Sequence, residues 1–289
     1  MQRLVLACAL ACSLAVNGIP PAAVAGDPQV RAHVVVRDAL ARSGKPVRLE
    51  ARLASEGLTG VTGLGGEQLE FLVSCTKAGT SLTGGDGVAR LDYQTRLAGN
   101  HDILVRLVSS PRITAAHEGT AVLSVWEKRR PILLVELASL IEPEKSAVPV
   151  LPFPLPVGTL TEQKPVPDAA DELKRLAQFY FNVLYVSTGH SGDPWGRTGD
   201  PRDWLKAHHF PPGHWLAVRD GREALGQAID QLHAEGWDNL RSGIGRSKDF
   251  AEALLHHRIA VVMVPEPARG DLPKKVMMAK EWKEVRKHF

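Results

Sequence analysis

The stretch "PILLVELASLIEP" (residues 131–143) decides how the chain is read. An apolar, mostly branched run from Pro131 to Val135 ends at a lone acid, Glu136, and is followed by Leu137, Ala138 and Ser139. Apolar runs of this length flanked by charge and proline make buried parallel strands. The acid then stands at the carboxyl end of the strand, where open α/β sheets place their ligands. The question is whether Glu136 is a working group, the remnant of one, or an acid that merely follows a strand.

Downstream of this stretch, apolar runs alternate with helical segments. "PDAADELKRLAQF" (167–179) precedes "NVLYVS" (182–187), and "DPRDWLKAHH" (200–209) precedes "HWLAV" (214–218). "GREALGQAIDQLHAEG" (221–236), "LRSGIG" (240–245), "SKDFAEALLHH" (247–257) and "IAVVMV" (259–264) complete the pattern. Strand–helix alternation calls for a parallel sheet with helices on both faces, because parallel neighbours need crossover connections. Asp168 and Ser247 are expected as helix N-caps. A proline-rich insertion with Pro149, Pro152, Pro154 and Pro156 separates the first strand from the first helix and reads as extended chain. "KKVMMAKEWKEVRKHF" (274–289) reads as a basic helix packed on its own domain, with membrane binding as the alternative.

Upstream the grammar differs. Residues 27–128 offer "VRAHVVVR", "PVRLEARL", "QLEFLVSC", "GVARLDYQT", "HDILVRLV" and "TAVLSVWE", several with period-two alternation, separated by turns such as "TGGDG" and "LAGN". Short strands without a helical stretch fit an all-β sandwich. "GDGVARLDYQTRLAGNHDILVRL" (85–107) resembles the late strands of bacterial immunoglobulin-like repeats, which implies an all-β immunoglobulin-like sandwich. His33, His101 and His117 are scattered through this part and suggest no site. The expected organisation is a signal peptide over 1–25, a sandwich over 27–128, an α/β domain over 129–270 and a C-terminal helix over 271–289.

The signal peptide rests on the basic start Met1-Gln2-Arg3, the apolar core "LVLACALACSLAV" and the small-x-small site Ala23-Val24-Ala25. That core is shorter than the ~20 apolar residues a spanning helix needs, so no transmembrane span is expected after cleavage. Export to the periplasm or exterior is the reading, with a lipoprotein as the alternative because Cys8 and Cys12 follow small residues. Cleavage leaves Cys75, expected as a buried small hydrophobe. The 289 residues carry a formal net charge of +3, too little for an extended nucleic-acid footprint.

The order of parts from 130 to about 265 resembles the haloacid dehalogenase superfamily of phosphotransferases, and within it the lipin and actin-patch phosphatidate phosphatase branch. "LLVELASLI" lies where that family has its first acidic motif, "VLYVSTG" supplies Ser187 at the second, and "GIGRSKDFAEALLHHRI" places Asp249 at the fourth. The resemblance implies a three-layer, Rossmann-like α/β fold, Mg²⁺, and a first Asp that attacks phosphorus while a second serves as acid and base. Here those positions hold Glu136 and Ala138, and no lysine occurs between Lys206 and Lys248. A carboxylate misplaced by about 1 Å can cost ~10²-fold, and loss of a general acid–base a further ~10²–10⁴-fold. The expectation is a catalytically degenerate domain that binds or scaffolds, with an unidentified protein, envelope or phospholipid ligand. The alternative is a divergent extracytoplasmic phosphatase using Glu136, Ser187, Asp249 and His190, with Glu136 and Asp249 holding Mg²⁺. A further possibility is that Glu136 pairs with Arg246 or Lys248.

Overall fold

The structure, a computed structural model, describes residues 30–57, 60–143, 163–189, 195, 200–219, 221–265 and 273–289. The expected signal peptide, most of the proline-rich insertion and His190 lie outside the described residues.

Two five-stranded sheets form the first part. One runs β4 (Gly60–Gly63), β3 (Pro46–Gly57), β1 (Val30–Val36), β9 (Ile113–His117), with β7 (Val88–Gln94) also on β3. The other runs β2 (Ala39–Arg42), β10 (Gly119–Trp126), β8 (Gly99–Leu107), β5 (Gln68–Val73), β6 (Thr76–Leu82). Leu49, Leu53, Leu69, Phe71, Ile103 and Leu123 meet between the sheets with no exposure, which makes this a sandwich. Burying each such side chain contributes about 1.5–3 kcal/mol.

The expected strands all form, and β2, β4, β6 and β9 are additional. "TKAGTSL" is an edge strand with partly or fully exposed side chains throughout, so it lacks the alternation that marks a half-buried strand. Cys75 is exposed, not buried as expected. Ser74 and Cys75 have φ of 48° and 63° and form the two-residue turn between β5 and β6, which takes the thiol away from the core.

The second part is a six-stranded sheet, every neighbouring pair parallel: β11 (Ile132–Glu136), β12 (Asn182–Ser187), β13 (His214–Ala217), β14 (Leu240–Gly245), β15 (Ala260–Met263) and β16 (Met277–Met278). The spatial order is β13-β12-β11-β14-β15-β16. Numbered from β11, this is 3-2-1-4-5-6, and the order reverses between β11 and β14. Leu133 and Val135 face α1 (Ala169–Phe179), α2 (Arg202–Ala207) and α5 (Trp282–Val285). Ile132 and Leu134 face α3 (Arg222–Ala234) and α4 (Lys248–His256). The strand is buried on both sides, which is why its sequence is continuously apolar.

Two expectations about helix ends differ from the structure. Asp168 has φ 63° and its side chain makes no cap bond; its carboxylate pairs with Lys283 at 3.2 Å. Ser247 does cap α4, accepting from the Phe250 N–H. Residues 274–289 are not one helix. Met277 and Met278 extend the sheet, and a single turn follows that buries Trp282, whose Nε1 donates to the Ser139 carbonyl at 3.1 Å.

The two parts share a buried seam. Trp126, at the end of β10, belongs to the core beneath α3 and α4, edge-on to His214 and Trp237 at 6.4 and 6.2 Å. Arg202 meets Asp38 at 2.7 Å, with side chains 16% and 2% exposed. The Asp38 carboxylate also accepts from the Val122 and Trp215 backbone N–H groups, and so from both parts. Burial works against the Arg202 charge, but hydrogen bonding to Asp200 and the charges of Asp38 and Asp200 outweigh it and raise its pKa.

Candidate functional site

Glu136 ends β11 at the point where the strand order reverses, the position at which such sheets bind ligands. It is 2% exposed. Its Oε2 accepts from the backbone N–H of Arg246 at 2.5 Å and of Ser247 at 2.9 Å. Those groups belong to the turn that opens α4, where unsatisfied N–H groups and the helix dipole make an anion site. The protein's own carboxylate fills it.

The local sequence makes this approach possible. A Cβ on Gly245 would lie 3.0 Å from Glu136 Oε2 and 2.3 Å from Phe250 Cδ1. A Cβ on Gly243 would lie 2.0 Å from Leu254 Cδ2. The two glycines of "GIG" let α4 lie close on β14, which brings the N–H groups of Arg246 and Ser247, just ahead of the helix, within reach of the acid.

Around Glu136 the turn Leu137–Leu140 is closed by further bonds. The Ser139 hydroxyl donates to the Glu136 carbonyl at 2.7 Å, and the Arg246 guanidinium donates to the Ala138 and Ile141 carbonyls at 3.4 and 3.3 Å. Arg246 is thus a partner of Glu136 through its main chain, and its side chain serves the neighbouring turn. Ala138 is exposed, a methyl where the resemblance would require an acid.

Ser187 closes β12 and is buried. Its Oγ accepts from Trp215 Nε1 at 2.7 Å, and the Trp215 main chain reaches Asp38, so the hydroxyl is tied to the seam between the parts. Asp249 is exposed on the first turn of α4, where an acid favours the helix dipole. Of the candidates, Glu136 and Ser187 stand at the ends of paired strands, Asp249 lies outward on α4, and His190 is outside the described residues.

A bound Mg²⁺ needs several oxygen ligands in near-octahedral geometry. Among the described residues no group of three or more His, Cys, Asp or Glu side chains could hold a metal. The described residues therefore offer no pre-formed all-protein Mg²⁺ cage: of the expected pair, Glu136 has Oε2 held by two N–H groups and Asp249 is exposed on α4.

The residues that sequence reasoning missed are those of the seam: Asp38, Trp126, Arg202, Trp215 and Trp237. The available signals were an acid interrupting "VVVRDALAR" and a tryptophan, Trp126, ending the last sandwich strand with Trp204, Trp215 and Trp237 all downstream of the junction.

No protein-family model matches the chain, and no curated protein matches it. Among solved structures, D,D-heptose 1,7-bisphosphate phosphatase from B. bronchiseptica, crystallised with magnesium and phosphate, is similar at 14% identity and TM-score 0.42. That likeness covers 55% of this chain and 97% of the other. A membrane-anchored protein from Corynebacterium diphtheriae is similar at 14% identity and TM-score 0.27, over 40% of this chain and 23% of its own. The D0–D1 part of intimin is similar at 9% identity and TM-score 0.22, over 32% and 46%. The architecture rests on the strand order and not on these likenesses. No helix among the described residues is long and apolar enough to cross a membrane.

Proposed function

We propose that the chain is an exported binding or scaffolding protein, an immunoglobulin-like sandwich joined to a haloacid-dehalogenase-like domain that no longer turns over phosphate esters. One observation carries the reading. Glu136, at the position where the resembled family has its nucleophile, is buried with Oε2 committed to two main-chain N–H groups. A nucleophile must present a lone pair to phosphorus, and an oxygen held by two donors at a helix start is a poor one. The exposed Ala138 offers no general acid–base. Export is supported by the leader-like residues 1–25, and the ligand by the resemblance to a phosphatidate-acting branch; neither nucleic acid nor a catalytic metal belongs to this reading.

The test is Mg²⁺-dependent phosphate release by the purified chain from an aryl phosphate and from phosphatidate, with Glu136→Ala as control. The expected result is no release above the control. Release that the control loses would establish a divergent Mg²⁺-dependent phosphatase acting on a phosphomonoester or phospholipid. Recovery of turnover on placing Asp at both 136 and 138 would mark descent from an enzyme.

A further inference from the structure

A groove lies at the opposite end of the parallel strands from Glu136, where the amino end of β12 and the approach to β11 meet the start of β8 and the end of β10. Its volume is about 780 Å³, within the range of small-molecule clefts, which occur preferentially at such junctions. Ala98 from the sandwich and Ala177, Phe181, Phe210 and Pro212 from the second part supply its apolar lining.

Its polar groups lean one way. Asn182 lines the groove, and its Nδ2, just beneath the surface, has no hydrogen-bond partner among the described residues, so an acceptor in the groove that drew it out would relieve an unsatisfied donor. Arg130 is fixed in the wall because its guanidinium donates to the Ala177 and Gln178 carbonyls at the end of α1. Lys174 lines the same wall with its side chain 46% exposed, and its only ion pair among the described residues is a long, solvent-exposed one to Asp171 at 3.6 Å, which an incoming anion would compete with. Glu127 is the one acid in the lining, and the exposed Lys128 and Arg129 follow it directly. Cations and a free donor beside an apolar lining select a ligand with a negative end and an apolar body.

We propose that this seam groove binds an anionic amphiphile, a carboxylate or phosphate group meeting Lys174, Arg130 and Asn182 while an apolar chain lies along Ala177, Phe181 and Pro212. The groove shares no residue with the Glu136 turn, so the inference stands apart from the reading of that site.

The test is calorimetric titration of the full chain with decanoate, decyl phosphate and neutral decyl maltoside, each below its micelle-forming range. The expected result is saturable, one-to-one binding of at least one anionic probe, and at least tenfold weaker binding of the neutral one. The stronger anionic probe identifies the head group. Ala177→Trp fills the groove and keeps the backbone carbonyl that Arg130 uses; it should abolish binding. Lys174→Glu should weaken binding tenfold or more. Binding of neither anionic probe overturns the proposal, as does equal binding of the neutral probe, or binding unchanged in a Lys174→Glu variant whose unfolding midpoint matches the parent. Lys174 is on the surface, so that variant decides the question if Ala177→Trp does not fold.

Discussion

At the scale of single residues, Glu136 acts as a clip between β11 and the start of α4. A hydrogen bond to a charged group contributes about 1.5–3 kcal/mol, so a side chain that fails to reach Arg246 and Ser247 should be costly. Glu136→Asp is expected to lower unfolding free energy by about 1–3 kcal/mol in urea, with no gain in phosphate release. A nucleophile restored to the resembled family's own residue would show the reverse. His214 makes a second residue-scale prediction. Burial is the main reason its pKa is lowered, against the attraction of Asp38 and Glu235 and with the repulsion of Arg202 and Arg37 adding to it. A depressed imidazole favours the neutral form in the fold, so the unfolded chain takes up a proton first as pH falls. Stability from this group is present above its ordinary value of 6.5 and is lost as pH falls from there through the depressed folded value. His214→Phe keeps a ring beside Trp126 and removes the titration. It should flatten the acid-side stability slope by up to ~1.4 kcal/mol per pH unit, measured by denaturation between pH 7 and roughly pH 5.

At the scale of elements, the pairing of α4 with β14 depends on absent side chains. Gly243→Ala would set a methyl against Leu254, and overpacking of this kind costs about 1–3 kcal/mol. The measurement is the shift in urea midpoint, and a compensating Leu254→Ala should return part of the loss. The same elements show what a sequence makes legible. "ILLVEL" and "VVMV" are buried on both faces, so their apolar runs mark them as strands with no knowledge of their neighbours. "TKAGTSL" sits at an edge and "ALAR" is four residues long, so neither carries a periodic signal. Glu136 stands out as an acid ending an apolar run, yet its partners are main-chain N–H groups, which no residue type announces. The C-terminal residues read as a helix because their composition favours one, while the burial of Trp282 and the free edge of β15 decide otherwise.

At the scale of the whole molecule, the seam determines how the parts behave together. Removing one partner of a buried ion pair costs about 3–5 kcal/mol, because the other charge is left without compensation. Arg202→Ala is expected to cost that much, and a double-mutant cycle with Asp38→Ala should show strong coupling rather than additivity. With Trp126 placed in the core under α3 and α4, unfolding should be a single transition by tryptophan fluorescence and by circular dichroism; two resolved steps would show the seam to be weak. The placement of Trp126 also bears on synthesis. The sandwich is complete in sequence once residue 126 has been made, but the side chain that ends its last strand is not fully covered until His214, Trp237 and the chain beyond them arrive. A nascent chain must therefore carry an open apolar end through more than a hundred residues of elongation. The interval between those two tryptophans is when the protein is most exposed to misassociation and most in need of a chaperone's cover.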